Sequence, residues 1–309
     1  MTLASIVIPS RGGAKRLPVL LSALAAQDDR DWEAIVVIDG DIDDSASVVA
    51  RYGHLPVRSI VFPENRGRVA ALNAGFAEAQ GDVLIRCDDD LVPAPDYVRQ
   101  HKAAATAHGG AIGLCLNELP DTPYARAYGA EADKLFQAAA YRTPSDSAWR
   151  YWGGNVSVTR EIWQRVGLYD IDYRSYGWED VDYGYRVFAD GNPVTIVREL
   201  ATPHRLAAVT TRLRVLRAFH SGAARRTFEG KHPEARLSPA EPSPSSIWNK
   251  LVLAIGKHST RRELVVAARV VDVLARVLPR RISRKLIALL VEGAGVAGYR
   301  RPSDTTTDF

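Results

Sequence analysis

Four short apolar runs separated by helical stretches fill the first ninety residues, and they restrict the fold more than any other feature. The runs are Ser5-Ile6-Val7-Ile8-Pro9, residues 32–39 (Trp-Glu-Ala-Ile-Val-Val-Ile-Asp), residues 57–61 and residues 83–87. None alternates apolar with polar residues, so each is expected to be a strand buried on both faces, as in a parallel sheet. Between the first two runs, Leu17, Leu20, Leu21 and Leu24 keep helical spacing, and Pro18 fits a first turn. A second helix is expected over residues 46–52. A third is opened by Asn65-Arg66-Gly67, continues through Ala70, Ala71, Leu72, Ala74 and Ala77, and is ended by Gly81. This β-α-β-α-β-α-β order predicts an α/β fold with a Rossmann-like, mostly parallel sheet flanked by helices. Ligands in such sheets bind beyond the carboxyl ends of the strands, where Pro9, Asp39 and Asp88-Asp89-Asp90 all fall.

The three adjacent carboxylates at the end of the fourth run repel one another. They are kept together either by a cation or by solvent in a simple turn. Strand geometry sends Asp88 and Asp90 to one side and Asp89 to the other. That pattern suits Mg2+ or Mn2+ held by one or two carboxylates together with ligand phosphates. No G-x-G-x-x-G and no G-x-x-x-x-G-K-[ST] follows the first strand, which argues against dinucleotide-binding dehydrogenases and P-loop enzymes.

After Pro95 the pattern changes. Helices are expected over 96–108, 125–140 and 161–166, and strands over 111–116 and 194–197. Trp152-Gly153-Gly154-Asn155 reads either as a packed turn or as a place where a ligand approaches the backbone closely. Glu179-Asp180 opens a helix on which Val181, Tyr185 and Phe188 share a face. Acids there serve as N-terminal caps or, beside Trp178, Tyr169, Tyr173 and Tyr176, as a general base next to an aromatic sugar platform. His204 is either an ordinary half-buried histidine or a further metal-side ligand.

A net charge of +4 over 309 residues gives no reason to expect nucleic-acid binding. Two cysteines, Cys87 and Cys115, are too few for a disulfide framework. With no signal-peptide pattern and no run of membrane-spanning length, a cytoplasmic location is expected. From Arg205 onward the composition shifts: a basic helix over 206–220, a Pro/Ser-rich linker at 238–246, and amphipathic helices over 247–255, 263–278 and 282–291. Lys250, Arg262, Arg269, Arg276, Arg280 and Arg281 are interleaved along them. Two occupants suit that face: protein, as a helical cap or a homodimer, or the inner face of an anionic membrane as a peripheral contact. Residues 301–309 are expected to be a disordered tail.

Taken in order, these segments resemble the family 2 glycosyltransferases of the GT-A fold over residues 3–210. The carriers are Ile6-Val7-Ile8-Pro9-Ser10, Val37-Ile38-Asp39-Gly40, Asn65-Arg66-Gly67 with Asn73-Ala74-Gly75, Gly81-Asp82 leading to Asp88-Asp89-Asp90, Gly153-Gly154-Asn155 and Gly177-Trp178-Glu179-Asp180. The resemblance implies a catalytic domain over 1–210, with a nucleotide-binding half at 1–95 and an acceptor-binding half at 96–210, and a helical extension over 211–300. It implies a metal-dependent, inverting transfer from a nucleotide diphosphate sugar, with UDP favoured, to a glycan, glycolipid or small-molecule hydroxyl. Pro9, Arg11, Asp39, Arg66, Arg68, Asp88 and Asp89 would contact the nucleotide. Asp90, Asp88 and His204 would lie at the metal, Mn2+ or Mg2+. Trp152, Gly153, Gly154, Asn155, Trp178 and Glu179 would meet sugar or acceptor. Asp180 would be the base, assisted by Glu179. Ser10-Arg11 and Ala71-Leu72-Asn73 depart from the family's usual residues near the nucleotide. The alternatives are a sugar-nucleotide nucleotidyltransferase, using residues 10–16 as a triphosphate loop, and a non-catalytic glycan-binding protein.

Overall fold

A computed structural model describes residues 2–173, 177–205 and 208–305. Tyr176, Leu206 and residues 306–309, on which parts of the expected loop, helix and tail fall, lie outside the described residues. The chain forms two units: Met1–Glu118 with Gln137–Arg174 and Asp180–Arg205, and Leu119–Phe136 with Ser175–Glu179 and Leu206–Phe309. The chain therefore passes between units several times, not once near residue 210.

The first unit holds β1 (Ala4–Ser10), β2 (Trp32–Ile38), β3 (Val57–Val61), β4 (Val83–Cys87), β5 (Gly110–Ile112), β6 (Cys115–Asn117), β7 (Asn155–Thr159), β8 (Val194–Ile196) and β9 (Thr202–His204). Seven of them form one sheet in the order β3-β2-β1-β4-β7-β5-β8, and β6 pairs with β9 separately. β1 to β4 run parallel. β2 and β4 are buried throughout and β1 nearly so, whereas β3, at the sheet edge and carrying Arg58 and Ser59, is partly exposed and not buried on both faces as expected. β7 is antiparallel to both β4 and β5, so the sheet is mixed. Helices α1 (Leu17–Ala25), α2 (Ser45–Ala50), α3 (Arg68–Glu78) and α4 (Tyr97–His108) connect the early strands. Leu17, Leu20, Leu21 and Leu24 of α1 are all fully buried with Ile6, Ile8, Val36 and Ile85. Gly75 lets α3 lie close on the sheet, because a Cβ there would sit 2.4 Å from Val7 Cγ1.

The expected strand over 111–116 divides at Gly113 into β5 and β6, which belong to different sheets. Further along lie α5 (Ala130–Ala140), α6 (Arg160–Val166) and α7 (Glu179–Ala189). The second unit is built on α8 (Thr211–Lys231), α9 (Ile247–His258), α10 (Arg261–Leu274) and α11 (Arg280–Arg300). Phe219, Leu264, Ala268, Ile287, Val291 and Ala294 fill its core. Threonine and serine caps start the first three of these helices, with a full capping box between Thr260 and Glu263 at α10. Arg301 to Thr305 do not trail away as expected. Arg301 donates to the carbonyls of Gly256, Lys257 and Ser259 at the end of α9, and Pro302–Asp304 form a helical turn.

Candidate active site

Sheet topology brings the acids of the fourth strand against the glycine segment. In the antiparallel β4–β7 register Cys87 faces Asn155, and Asp88 N donates to Gly154 O at 2.9 Å. A Cβ on Gly154 would lie 2.3 Å from Asp88 Oδ2, so a glycine is needed for that carboxylate to exist where it does. Asp88 is then held by Arg86: Nε donates to Oδ1 at 2.9 Å and Nη2 to Oδ2 at 3.3 Å. The same guanidinium bonds Asp180 Oδ1 through Nη1. Arg86 has no exposed side-chain surface, whereas both carboxylates keep some. A fully enclosed guanidinium is tolerated only when paired, and here it is paired twice.

This charge cluster separates the two acids electrically. Burial pushes both carboxyls up; for Asp88, Arg86 and then Arg68 outweigh it and hold the group below the usual carboxylate range. For Asp180, burial prevails over Arg86 and Arg68, so its carboxyl lies above the ordinary value. A carboxylate of raised pKa is a better proton acceptor, which is the direction a general base requires. Arg68, at the start of α3, thus adds positive charge at both acids.

The three aspartates have three different environments. Asp89 is clamped by Arg16, Nε to Oδ1 at 2.9 Å and Nη2 to Oδ2 at 2.8 Å, and by Ser10 Oγ at 2.6 Å. The carboxylate is buried and ties the acid loop to the loop after β1. Asp90 Oδ2 lies 3.0 Å from His204 Nε2, while Asp90 Oδ1 is buried with no hydrogen-bond partner. His204 Nδ1 is 2.7 Å from Asn117 Oδ1 in the assigned orientation of that amide. Nδ1 is then the donor, and Nε2 faces a carboxylate, an arrangement that a cation between them would satisfy. Backbone contacts fix this pairing, since Leu91 bridges His204 and Arg205 N donates to Asp90 O at 2.9 Å.

The donor set fits a hard divalent cation: an orphaned carboxylate oxygen and an imidazole oriented by a neighbouring amide. Among the described residues no three His, Cys, Asp or Glu side chains converge into a complete metal shell. The remaining ligands would come from a bound diphosphate and water.

Asp39 ends β2 with its carboxylate accepting from Arg66 N at 2.6 Å and Gly67 N at 2.8 Å, at the entrance to α3. Pro9 is half-buried, Arg11 and Arg66 are exposed, and the Arg66 guanidinium sits 4.8 Å from the Phe62 ring centroid. The loop over 10–16 is closed on itself. Gly13 N donates to Ser45 Oγ, Ala14 N to Asp43 Oδ2, and Arg16 to Asp89 and to the Gly12 and Arg11 carbonyls. Those amides and that guanidinium already have partners, which removes the basis for a triphosphate cradle there.

Two further residues expected at the sugar or acceptor are packed into the first unit. Asn155 is fully enclosed, accepts from Tyr97 Oη and His101 Nε2, and donates to Leu200 O and Thr202 Oγ1. All four positions of its amide are used, so it braces β7. Trp152 is buried with its ring 5.9 Å from Tyr183, and its Nε1 donates to Tyr169 Oη. Its size serves the core. Gly153 has room for a side-chain carbon, the nearest atom to an added Cβ being 3.8 Å away, an ordinary contact. Trp178 and Glu179 belong to the helical unit. Trp178 takes the left-handed φ of +67°, uncommon for a large side chain, and donates through Nε1 to Ser221 Oγ at 3.1 Å. Glu179 is buried at the first position of α7.

Sequence reasoning missed Arg86. The signal was present: residues two apart on a strand share a side, so an arginine in a buried run two positions before Asp88 lies beside it.

An α/β sheet with acids gathered past its strand ends, and a separate carboxylate held beside them, is compatible with a glycosyltransferase, and comparison with known proteins supplies the class. Residues 5–166 match the glycosyl transferase family 2 model, and residues 133–208 match the model described as the N-terminal domain of galactosyltransferase. The chain belongs to glycosyl transferase family 2. It is 30% identical over 236 residues to validoxylamine A glucosyltransferase of Streptomyces hygroscopicus subsp. jinggangensis, covering 65% of this chain and 56% of that protein. An undecaprenyl-phosphate 4-deoxy-4-formamido-L-arabinose transferase of Pseudomonas fluorescens is 33% identical over 128 residues, covering 40% and 38%. The chain thus spans little more than half the length of the first relative and less of the second. In fold it is similar to the mannosyltransferase PcManGT of Pyrobaculum calidifontis, solved with GDP-Man and Mn2+. The TM-score is 0.66 at 18% identity, covering 97% of this chain and 88% of the other. The GT-A fold is therefore shared.

Proposed function

We propose that this glycosyltransferase moves a sugar from a nucleotide diphosphate sugar, with UDP favoured, to an acceptor hydroxyl, with inversion and with a divalent metal. Its products would belong to cell-surface polysaccharide, glycolipid or other glycoconjugate synthesis. The observation that carries the reading is the Arg86 bridge, which keeps Asp180 beside the donor-side carboxylate Asp88.

In this reading Asp180 accepts the proton of the acceptor hydroxyl. The acceptor oxygen bonds to the anomeric carbon as the bond to the diphosphate oxygen breaks, and the nucleoside diphosphate leaves with that electron pair. An α-linked donor gives a β-glycoside. Asp90 and His204 would hold Mn2+ or Mg2+, which supplies positive charge to the departing diphosphate. Arg68 and Arg66 would add to that charge, Pro9, Arg11 and Asp39 would receive the nucleoside, and Asp88 its ribose. The segment at Gly153 would admit the sugar. Support for a nucleotide sugar and a metal comes from the fold's other members, one solved with GDP-Man and Mn2+ and Staphylococcus aureus TarS solved with UDP-GlcNAc.

Incubation with a panel of nucleotide sugars and Mn2+, reading the released phosphate species, tests the proposal. Release of nucleoside diphosphate is expected. Pyrophosphate release would point instead to nucleotidyl transfer. Asp180→Asn should lose about 100-fold or more in turnover with donor affinity nearly unchanged; normal turnover in that variant removes the base assignment.

A further inference from the structure

The charge of this chain is strongly asymmetric. Residues 247–285 hold ten Lys and Arg against two acids, Glu263 and Asp272. The rest of the chain has thirty Lys and Arg against thirty-four acids, so a segment of charge +8 is attached to a body of charge −4. Both acids in the segment have structural partners. Glu263 closes the capping box on Thr260, and Asp272 accepts from the amides of Thr211 and Arg212.

The same segment concentrates exposed apolar surface. Of fourteen large hydrophobic residues exposed among the described residues, eight lie between Ile247 and Ile282. Four of them form a stripe along α10 and the turn after it: Val266, Val270, Val273 and Val277, between 52% and 80% exposed. Their spacing of four, three and four places them on one helix face, while Leu264, Ala268 and Val271 point the other way into the helical core. Exposed Arg262, Arg269 and Arg276, seven residues apart, run along one flank of the stripe. Clustering of this kind marks a binding surface, since apolar surface residues are otherwise scattered singly.

We propose that this face of α10 docks the enzyme on an anionic lipid surface, with the valine stripe entering the headgroup boundary and the arginine row meeting lipid phosphates. Charge decides among occupants. A second copy packed face to face would bring arginine row towards arginine row, with Glu263, already engaged in its capping box, as the one exposed acid of α10 to offset three arginines, whereas an anionic bilayer is complementary to both features. No helix among the described residues is long and apolar enough to cross a membrane, so docking would be peripheral.

Flotation of the full chain with phosphatidylcholine vesicles, and with vesicles containing about a third phosphatidylglycerol, tests this. Binding is expected only to the anionic vesicles and should fall as salt is raised. Each arginine is worth about fivefold in partitioning, so Arg262→Gln/Arg269→Gln/Arg276→Gln should weaken binding on the order of 100-fold. Val266→Ser/Val270→Ser/Val273→Ser should also reduce it. Both variants alter only exposed side chains, so thermal unfolding and donor hydrolysis should match wild type, which separates lost docking from lost folding or lost chemistry. Equal flotation on neutral and anionic vesicles overturns the proposal. So does absence of flotation, and a serine-sensitive dimer in light scattering would then assign the stripe to a second copy.

Discussion

Arg86 and Asp180, ninety-four positions apart, form an ion pair that joins the end of β4 to the first turn of α7. The pair fixes a helix-borne carboxylate relative to the strand-end acids, and Arg86 touches Asp88 with its other edge. Removing the guanidinium leaves two carboxylates close together without their bonded counter-charge, with Arg68 left to act on both from further away. Arg86→Met is expected to destabilise the protein by about 3–5 kcal/mol in urea unfolding, the cost typical of breaking a buried pair from one side. Arg86→Lys keeps the charge but not the planar fork that reaches both acids. It should recover much of the stability and little of the turnover; recovery of both would mean that charge alone suffices.

Asp89 and Asp90 are neighbours with opposite expected phenotypes. Asp89 holds Arg16 and Ser10, so Asp89→Ala strands a half-buried guanidinium and should cost about 2–3 kcal/mol of stability. Asp90 has one oxygen bound to His204 and one orphaned oxygen. Asp90→Ala should leave the unfolding midpoint close to wild type while abolishing Mn2+-dependent nucleotide affinity. Titration calorimetry with UDP, with and without Mn2+, distinguishes the two. Unchanged metal-dependent affinity in Asp90→Ala removes the metal role.

A buried histidine gives stability a defined pH window. His101 is fully enclosed between Ser157 Oγ and Asn155 Oδ1, and burial pushes its pKa down to about 3. The unfolded chain binds this proton below about pH 6.5 while the folded chain does not, so stability rises with pH across that interval. The contribution is complete above about pH 6.5 and is lost progressively as pH falls towards about 3, amounting to about 3 kcal/mol by pH 4. His101→Gln should flatten this part of the profile in denaturation curves taken from pH 7 to pH 4. An unchanged slope would place the proton elsewhere.

Much of this architecture was legible in the chain because burial on both faces leaves a composition that little else produces. The runs at Ile6, Val36 and Ile85 became β1, β2 and β4, and the leucine spacing after Pro18 became α1. The acids past the strand ends were legible for the same reason, since topology fixes where strand ends gather. What the pattern could not separate was a packed aromatic from a sugar platform. Trp152 and Asn155 have the residue types of a carbohydrate site, yet one fills the core and the other saturates its amide on the backbone and side chains of four residues. Nor could spacing separate three like acids, because Asp89 was assigned by Arg16, a partner seventy-three positions away. Long-range pairing of this kind leaves no local periodicity.

The paired glycines before β7 provide the sharpest discrimination between adjacent positions. A Cβ at Gly154 would meet Asp88 at 2.3 Å from Oδ2 and 2.5 Å from Cγ. Asp88 has little room to yield, because Arg86 holds both its oxygens and its own amide is bonded to the Gly154 carbonyl. At Gly153 the nearest atom is the Tyr151 carbonyl oxygen at 3.8 Å, an ordinary contact. Gly154→Ala should therefore rotate Asp88 away from Arg86, lower turnover by about tenfold or more and cost about 1–3 kcal/mol of stability. Gly153→Ala should fold as wild type, so any loss it shows in steady-state kinetics would report contact with the transferred sugar. If Gly154→Ala turns over normally, the Asp88 carboxylate is not needed in the position that Arg86 gives it.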